Sequence, residues 1–91
     1  MEYLHREFDL SAGDVVEVNL AGNAANVVLL DESNFHNYRQ GHSYNFHGGY
    51  ARTSPFRIPA PSPGHWHLVV DLGGQAGRVQ ASGLVISGAS S

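Results

Sequence analysis

The chain has 91 residues and 42% hydrophobic content, enough for one domain that buries roughly two thirds of its unfolded surface, with no linker and no second domain. It holds no cysteine and no lysine and carries a formal net charge of −3. This excludes disulfides, thiolate zinc sites and cysteine nucleophiles, and argues against the broad basic footprint of sequence-independent nucleic-acid binding.

The N-terminal run alternates Leu4, Phe8 and Leu10 with His5, Glu7 and Asp9, the pattern of a half-buried strand, with Arg6 the odd member. Its charges leave no continuous apolar stretch of the kind a signal peptide needs, and no apolar run approaches the ~18 residues of a membrane span, so a cytoplasmic protein without a membrane partner is expected. Ser11 to Asp14 breaks the run and suggests a hairpin to a second strand, Val15 to Leu20, which gathers Val16, Val18 and Leu20 on one face. After the turn at Ala21 to Ala24, Asn26 to Asp31 is apolar on both faces and reads as a central, covered strand. These three runs are expected to be neighbouring antiparallel strands.

From Asp31 to Ser54 the alternation fails. Ser33 is a candidate cap for one helical turn bringing Phe35 and Tyr38 together, and Tyr44 to Phe46 a candidate short strand, within a long loop region. Pro55 to Pro59 is a short edge strand framed by prolines, which cannot donate to a ladder. Gly64 to Gly74 is the clearest strand of the chain. Trp66, Leu68, Val70 and Leu72 share one face as core, and His65, His67, Val69 and Asp71 share the other. Gly73 to Gly77 reads as a hairpin turn into a last strand ending at Ile86, and residues 87–91 as a frayed polar tail. About seven short strands in residues 1–86 predict an all-β fold, a two-sheet antiparallel sandwich of jelly-roll or Greek-key type.

Charge is unevenly placed. Residues 1–32 hold seven acids and one arginine, whereas residues 33–70 hold Arg39, Arg52, Arg57, five histidines and no acid. The loop group His36, Arg39, His42, Tyr44, His47, Tyr50 and Arg52 can therefore offer bidentate cationic donors and flat aromatic platforms to an anionic ligand or a partner protein. His65 and His67, roughly 7 Å apart along one strand face, are the alternative. Two imidazoles so placed suit a transition metal such as Zn in a cupin-like jelly-roll enzyme, with a third ligand from His5, His36, His42, His47, Glu17 or Asp71. They suit better a polar sheet surface hydrogen-bonded to cross-strand neighbours.

The ordered blocks Gly13 to Val18, Gly22 to Val27, Asp31 through Asn34 and Phe35 to Tyr38, and Gly64 to His67 through Asp71 to Gly74 and Gly77 to Val79 resemble a small bacterial family known as domain of unknown function 1883. The resemblance spans nearly the whole chain and implies a β-sandwich, free-standing or joined to a TIR domain, acting as an accessory or recognition module. It implies no catalytic residue. The expected function is thus a non-enzymatic binding module without a cofactor, acting through residues 35–57 with His36, Arg39, Tyr44, Tyr50 and Arg52, and with the His65 and His67 face. The alternative is the metal-dependent enzyme on His65 and His67, and a third reading is assembly with a second copy or a fused effector through an exposed sheet edge.

Overall fold

A computed structural model describes residues 3–22, 24–73, 77 and 79–86. Seven strands and one helix follow in the order β1 (Leu4–Leu10), β2 (Val15–Gly22), β3 (Ala25–Leu30), α1 (Glu32–Gln40), β4 (His47–Ala51), β5 (Phe56–Pro59), β6 (Gly64–Asp71) and β7 (Val79–Ile86). Two antiparallel sheets form the sandwich, one ordered β1-β6-β3-β4 and the other β5-β2-β7. No helix among the described residues is long and apolar enough to cross a membrane.

The alternation of each strand sets which side chains meet between the sheets. Val16 and Val18 of β2, Ala25, Val27 and Leu29 of β3, Ile58 of β5, and Trp66, Leu68 and Val70 of β6 fill that space, with Leu10 and Ala51. Trp66 lies 7% exposed and its indole N–H donates to the Ser62 carbonyl at 2.9 Å, so its one polar atom is satisfied while the ring is packed. β3, apolar on both faces, is central and covered, as its pattern predicts. β5 is an edge strand, as its flanking prolines predict.

Strand adjacency differs from the expected meander. β1, β2 and β3 are not neighbours: β1 pairs with β6 from Leu4 opposite Val70 to Leu10 opposite Gly64, and β2 lies in the other sheet between β5 and β7. The segments at Ser11 to Asp14 and Ala21 to Ala24 cross between sheets instead of closing hairpins, and Asn23 lies outside the described residues. β6 and β7 also belong to different sheets; of the hairpin turn expected at Gly73 to Gly77, residues 74–76 lie outside the described residues, as do residue 78 and the tail at 87–91. Alternation specifies faces, and several wirings satisfy the same faces.

The region expected to be loop contains a helix of nine residues. Asp31, not Ser33, is its N-cap: extended at φ −75° and ψ 178°, it accepts the Asn34 amide at 2.8 Å, which satisfies one orphan donor of the first turn. Gly41 closes it in the left-handed region at φ 76°, where a side chain would be strained. The Asn45 amide then donates to the Asn34 side-chain oxygen at 2.8 Å, tying the returning chain to the helix start. Tyr44 to Phe46 is not a strand; β4 begins at His47.

α1 lies across the outer face of the four-stranded sheet and makes a second apolar seam. Phe35 and Tyr38 pack on Val28, Leu30 and Val69, with Tyr3 and Tyr44 at the margin. The face of β6 opposite Trp66, expected to be polar, is therefore buried from His67 to Asp71.

Candidate functional site

The register of β1 against β6 creates the chemistry. Glu7 lies opposite His67 and Asp9 opposite His65, and since side chains at i and i+2 share a face, His5, Glu7 and Asp9 stand beside His65 and His67 on the outer side of the sheet. The first residue of α1, Glu32, reaches the same place. Six titratable groups from three elements that are far apart in sequence converge there.

His67 is the centre. It is 3% exposed, its Nε2–H donates to Glu32 Oε1 at 2.9 Å, and its Nδ1 lies 2.8 Å from His5 Nε2. Among the described residues only a carboxylate oxygen faces Nε2, so Nε2 carries hydrogen. Nδ1 therefore either accepts from His5 or, in the cation, donates to it. Phe35 covers the pair: its ring is stacked on His5 with centroids 4.4 Å apart at 11°, and on His67 at 4.2 Å and 6°, while the two imidazoles lie 5.1 Å apart at 12°. Both imidazoles are thereby held in one plane under an apolar lid. Burial, and then the neighbouring His67, hold the pKa of His5 below the ordinary histidine value.

His65 has a different character. Its Nδ1 faces Asp9 and its Nε2 faces Glu7, each at 2.8 Å. Two carboxylates can both be satisfied only by an imidazolium, and the bond to Asp9, then that to Glu7, raises its pKa. The His65 bond in turn lowers the pKa of Glu7. The cross-strand pairing expected of a polar sheet surface is found here.

Histidine and carboxylate atoms approach closely enough for one ion. The ligating atoms of His5, Glu7 and His67 lie within 4.8 Å of one another, as do those of Glu32, His65 and His67. Of the third ligands that the residue types allowed, the fold delivers His5. Asp71 is instead a latch, taking the Tyr38 hydroxyl, the Asn26 amide at 3.0 Å and the Gly73 N–H at 2.8 Å. Burial, and then that bond to Asp71, push the Tyr38 phenol well above its ordinary value. Glu17 pairs with Arg57 at 2.8 Å in the other sheet. His36 and His42 are exposed, and His47 lies edge-on to Trp66 at 5.8 Å.

The loop group is not gathered into one constellation. His36 and Arg39 lie on exposed positions of α1, with the Arg39 guanidinium 5.8 Å from the centre of the Phe35 ring. Tyr44 is half buried against Tyr38. Tyr50, 61% exposed on β4, stands in the row of Asn26 and Asp71, two strands across and four residues along from His67, and Arg52 is exposed just beyond β4. Glu7, Asp9 and Glu32 were not among the site residues read from the sequence. One signal for the first two was available: the polar stripe His5, Glu7, Asp9 has the same two-residue period as His65, His67, and antiparallel pairing sets acids against histidines.

The model of one family, described as a domain of unknown function (DUF1883), matches residues 1–87. No curated protein and no solved structure matches the chain.

Proposed function

The chain belongs to the DUF1883 family, and from that premise we propose a non-enzymatic binding module whose working site is the histidine and carboxylate cluster on the α1 side of the four-stranded sheet. One observation carries this reading: two coplanar imidazoles, His67 buried and His5 half buried, are each stacked on Phe35, with His67 oriented by Glu32, next to the His65, Glu7 and Asp9 group. A sandwich of this size has no packing need for such an array, and apolar side chains of similar volume would stabilise the seam better. With three carboxylates against one imidazolium the cluster is negative, so its ligand is cationic; an anionic ligand or partner would engage the separate exposed cations Arg39 and Arg52. On this reading the domain serves as an accessory unit in the bacterial cytoplasm, alone or joined to an effector such as a TIR domain.

The test is a double substitution, His5→Leu with His67→Leu, followed by thermal unfolding. Glu32 and Glu7 are 77% and 51% exposed at their side chains and remain hydrated when their partners go, so a cluster kept for binding yields a variant as stable as the parent or more so. A loss above about 3 kcal/mol, the size expected when a buried structural network is broken, would show the cluster to be scaffold.

A further inference from the structure

We infer that His5 Nε2, His67 Nδ1 and a Glu7 carboxylate oxygen form a binding site for a divalent first-row transition ion. The inference deepens the reading of the cluster as a binding site and rests on it.

The donors are arranged as such an ion requires. Two neutral imidazole nitrogens are borderline donors that, joined by one harder carboxylate oxygen, suit Zn²⁺, Co²⁺ or Ni²⁺ and disfavour Mg²⁺ and Ca²⁺, which ask for six or more oxygens. At a metal–nitrogen distance of about 2.0–2.1 Å, two tetrahedral nitrogens stand about 3.3 Å apart. His5 Nε2 and His67 Nδ1 are 2.8 Å apart, so the nitrogens need to part by about half an ångström and the rings to turn until both lone pairs aim at the ion, movements within the plane in which Phe35 holds them. Glu7 Oε1 lies 3.9 Å from His67 Nδ1 and closes the triad from β1.

The surroundings supply what such a ligand set needs. A metal-bound histidine usually donates its other ring N–H to a carboxylate, which fixes its tautomer and raises its basicity. The bond from His67 Nε2–H to Glu32 has that form, and it leaves Nδ1 of the neutral ring as the lone pair facing His5. Glu7 is likewise oriented, by the 2.8 Å bond between its Oε1 and His65 Nε2. On binding, the ion replaces the hydrogen shared between His5 and His67; that proton passes through solvent to Nδ1 of His5, and both rings stay neutral. Three protein donors leave a fourth position open to water or an outside ligand. His65, expected to be a direct ligand, becomes a positioning residue, because both of its nitrogens are bound to carboxylates.

The experiment is calorimetric titration of tag-free, chelator-treated protein with Zn²⁺, repeated with Mg²⁺. The expected result is one equivalent of Zn²⁺ bound and no measurable Mg²⁺ binding. His5→Ala and His67→Ala should each weaken Zn²⁺ binding by more than about 100-fold. Glu32→Gln should weaken it by about 10- to 100-fold, and His36→Ala, outside the cluster, should leave it within about threefold. Circular dichroism establishes that each variant is folded, and Glu7→Gln, at an exposed position, gives the same decision should His67→Ala unfold. Absence of binding at millimolar Zn²⁺, binding indifferent to His5, Glu7 and His67, or equal binding of Mg²⁺ would each overturn the inference. A stable His5→Leu, His67→Leu protein whose parent takes no Zn²⁺ removes the ion and leaves the binding-site reading intact; an unfolded double variant whose parent takes no Zn²⁺ removes both.

Discussion

Removing one oxygen atom, in Tyr38→Phe, tests how α1 is held over the outer sheet. Tyr38 is 8% exposed and Asp71 6%. The phenol donates to Asp71 Oδ2, while Asn26 and the Gly73 amide occupy Oδ1, so the substitution leaves Oδ2 without a donor among the described residues. A hydrogen bond to a buried charged group contributes about 2 kcal/mol, which in a domain of this length corresponds to a fall of about 10 °C in the unfolding midpoint. The pH dependence gives a second, independent signature. The folded-state phenol has its pKa raised by burial and then by Asp71, so its contribution is fully present below the unfolded value of about 10 and is lost as pH rises above it, by about 1.4 kcal/mol per unit. The gap between parent and Tyr38→Phe should therefore be constant from neutral pH to about pH 10 and close near about pH 11.5. Urea unfolding of both proteins across that range measures it. A gap below about 0.5 kcal/mol at neutral pH, or one that persists unchanged into alkali, would refute the latch.

Two other substitutions address the frame. Asp31→Ala removes the N-cap of α1 and should cost about 1 kcal/mol by thermal unfolding. The Asn34 amide lowers the Asp31 pKa, so this contribution is present above the unfolded value of about 3.9 and disappears as pH falls through the folded value, where parent and variant curves should merge. Trp66→Ala empties the centre of the inter-sheet core and should cost about 3–5 kcal/mol, read from the denaturation midpoint; a variant as stable as the parent would contradict the packing of that ring.

Much of the frame was legible in the residues because strand alternation reports burial directly. The Trp66, Leu68, Val70 face, the two-sided cover of β3 and the Pro-framed edge of β5 all follow from side-chain pattern. The order of strands was not, since faces do not specify neighbours, and with it went the pairing of β1 to β6 on which the cluster depends. α1 was nearly invisible. Its nine residues are mostly weak helix formers with only Phe35 and Tyr38 buried, and its clearest marks are the caps, Asp31 before it and Gly41 after it. The two histidines of β6 were found by their spacing, yet their distinct roles come from partners on other elements: carboxylates around His65, and His5, Phe35 and Glu32 around His67.

The most direct test of the cluster geometry is a long-range proton–nitrogen correlation spectrum of the six imidazoles at about pH 8, with assignments taken from His5→Ala and His65→Ala. The predicted result is a His67 ring with hydrogen on Nε2, coupled to the His5 ring, and, as the pH is lowered stepwise, a His65 ring that takes its second proton at a higher pH than an ordinary histidine. A His67 ring with hydrogen on Nδ1 alone, or one averaging freely between tautomers, would contradict the arrangement on which the proposed site is built.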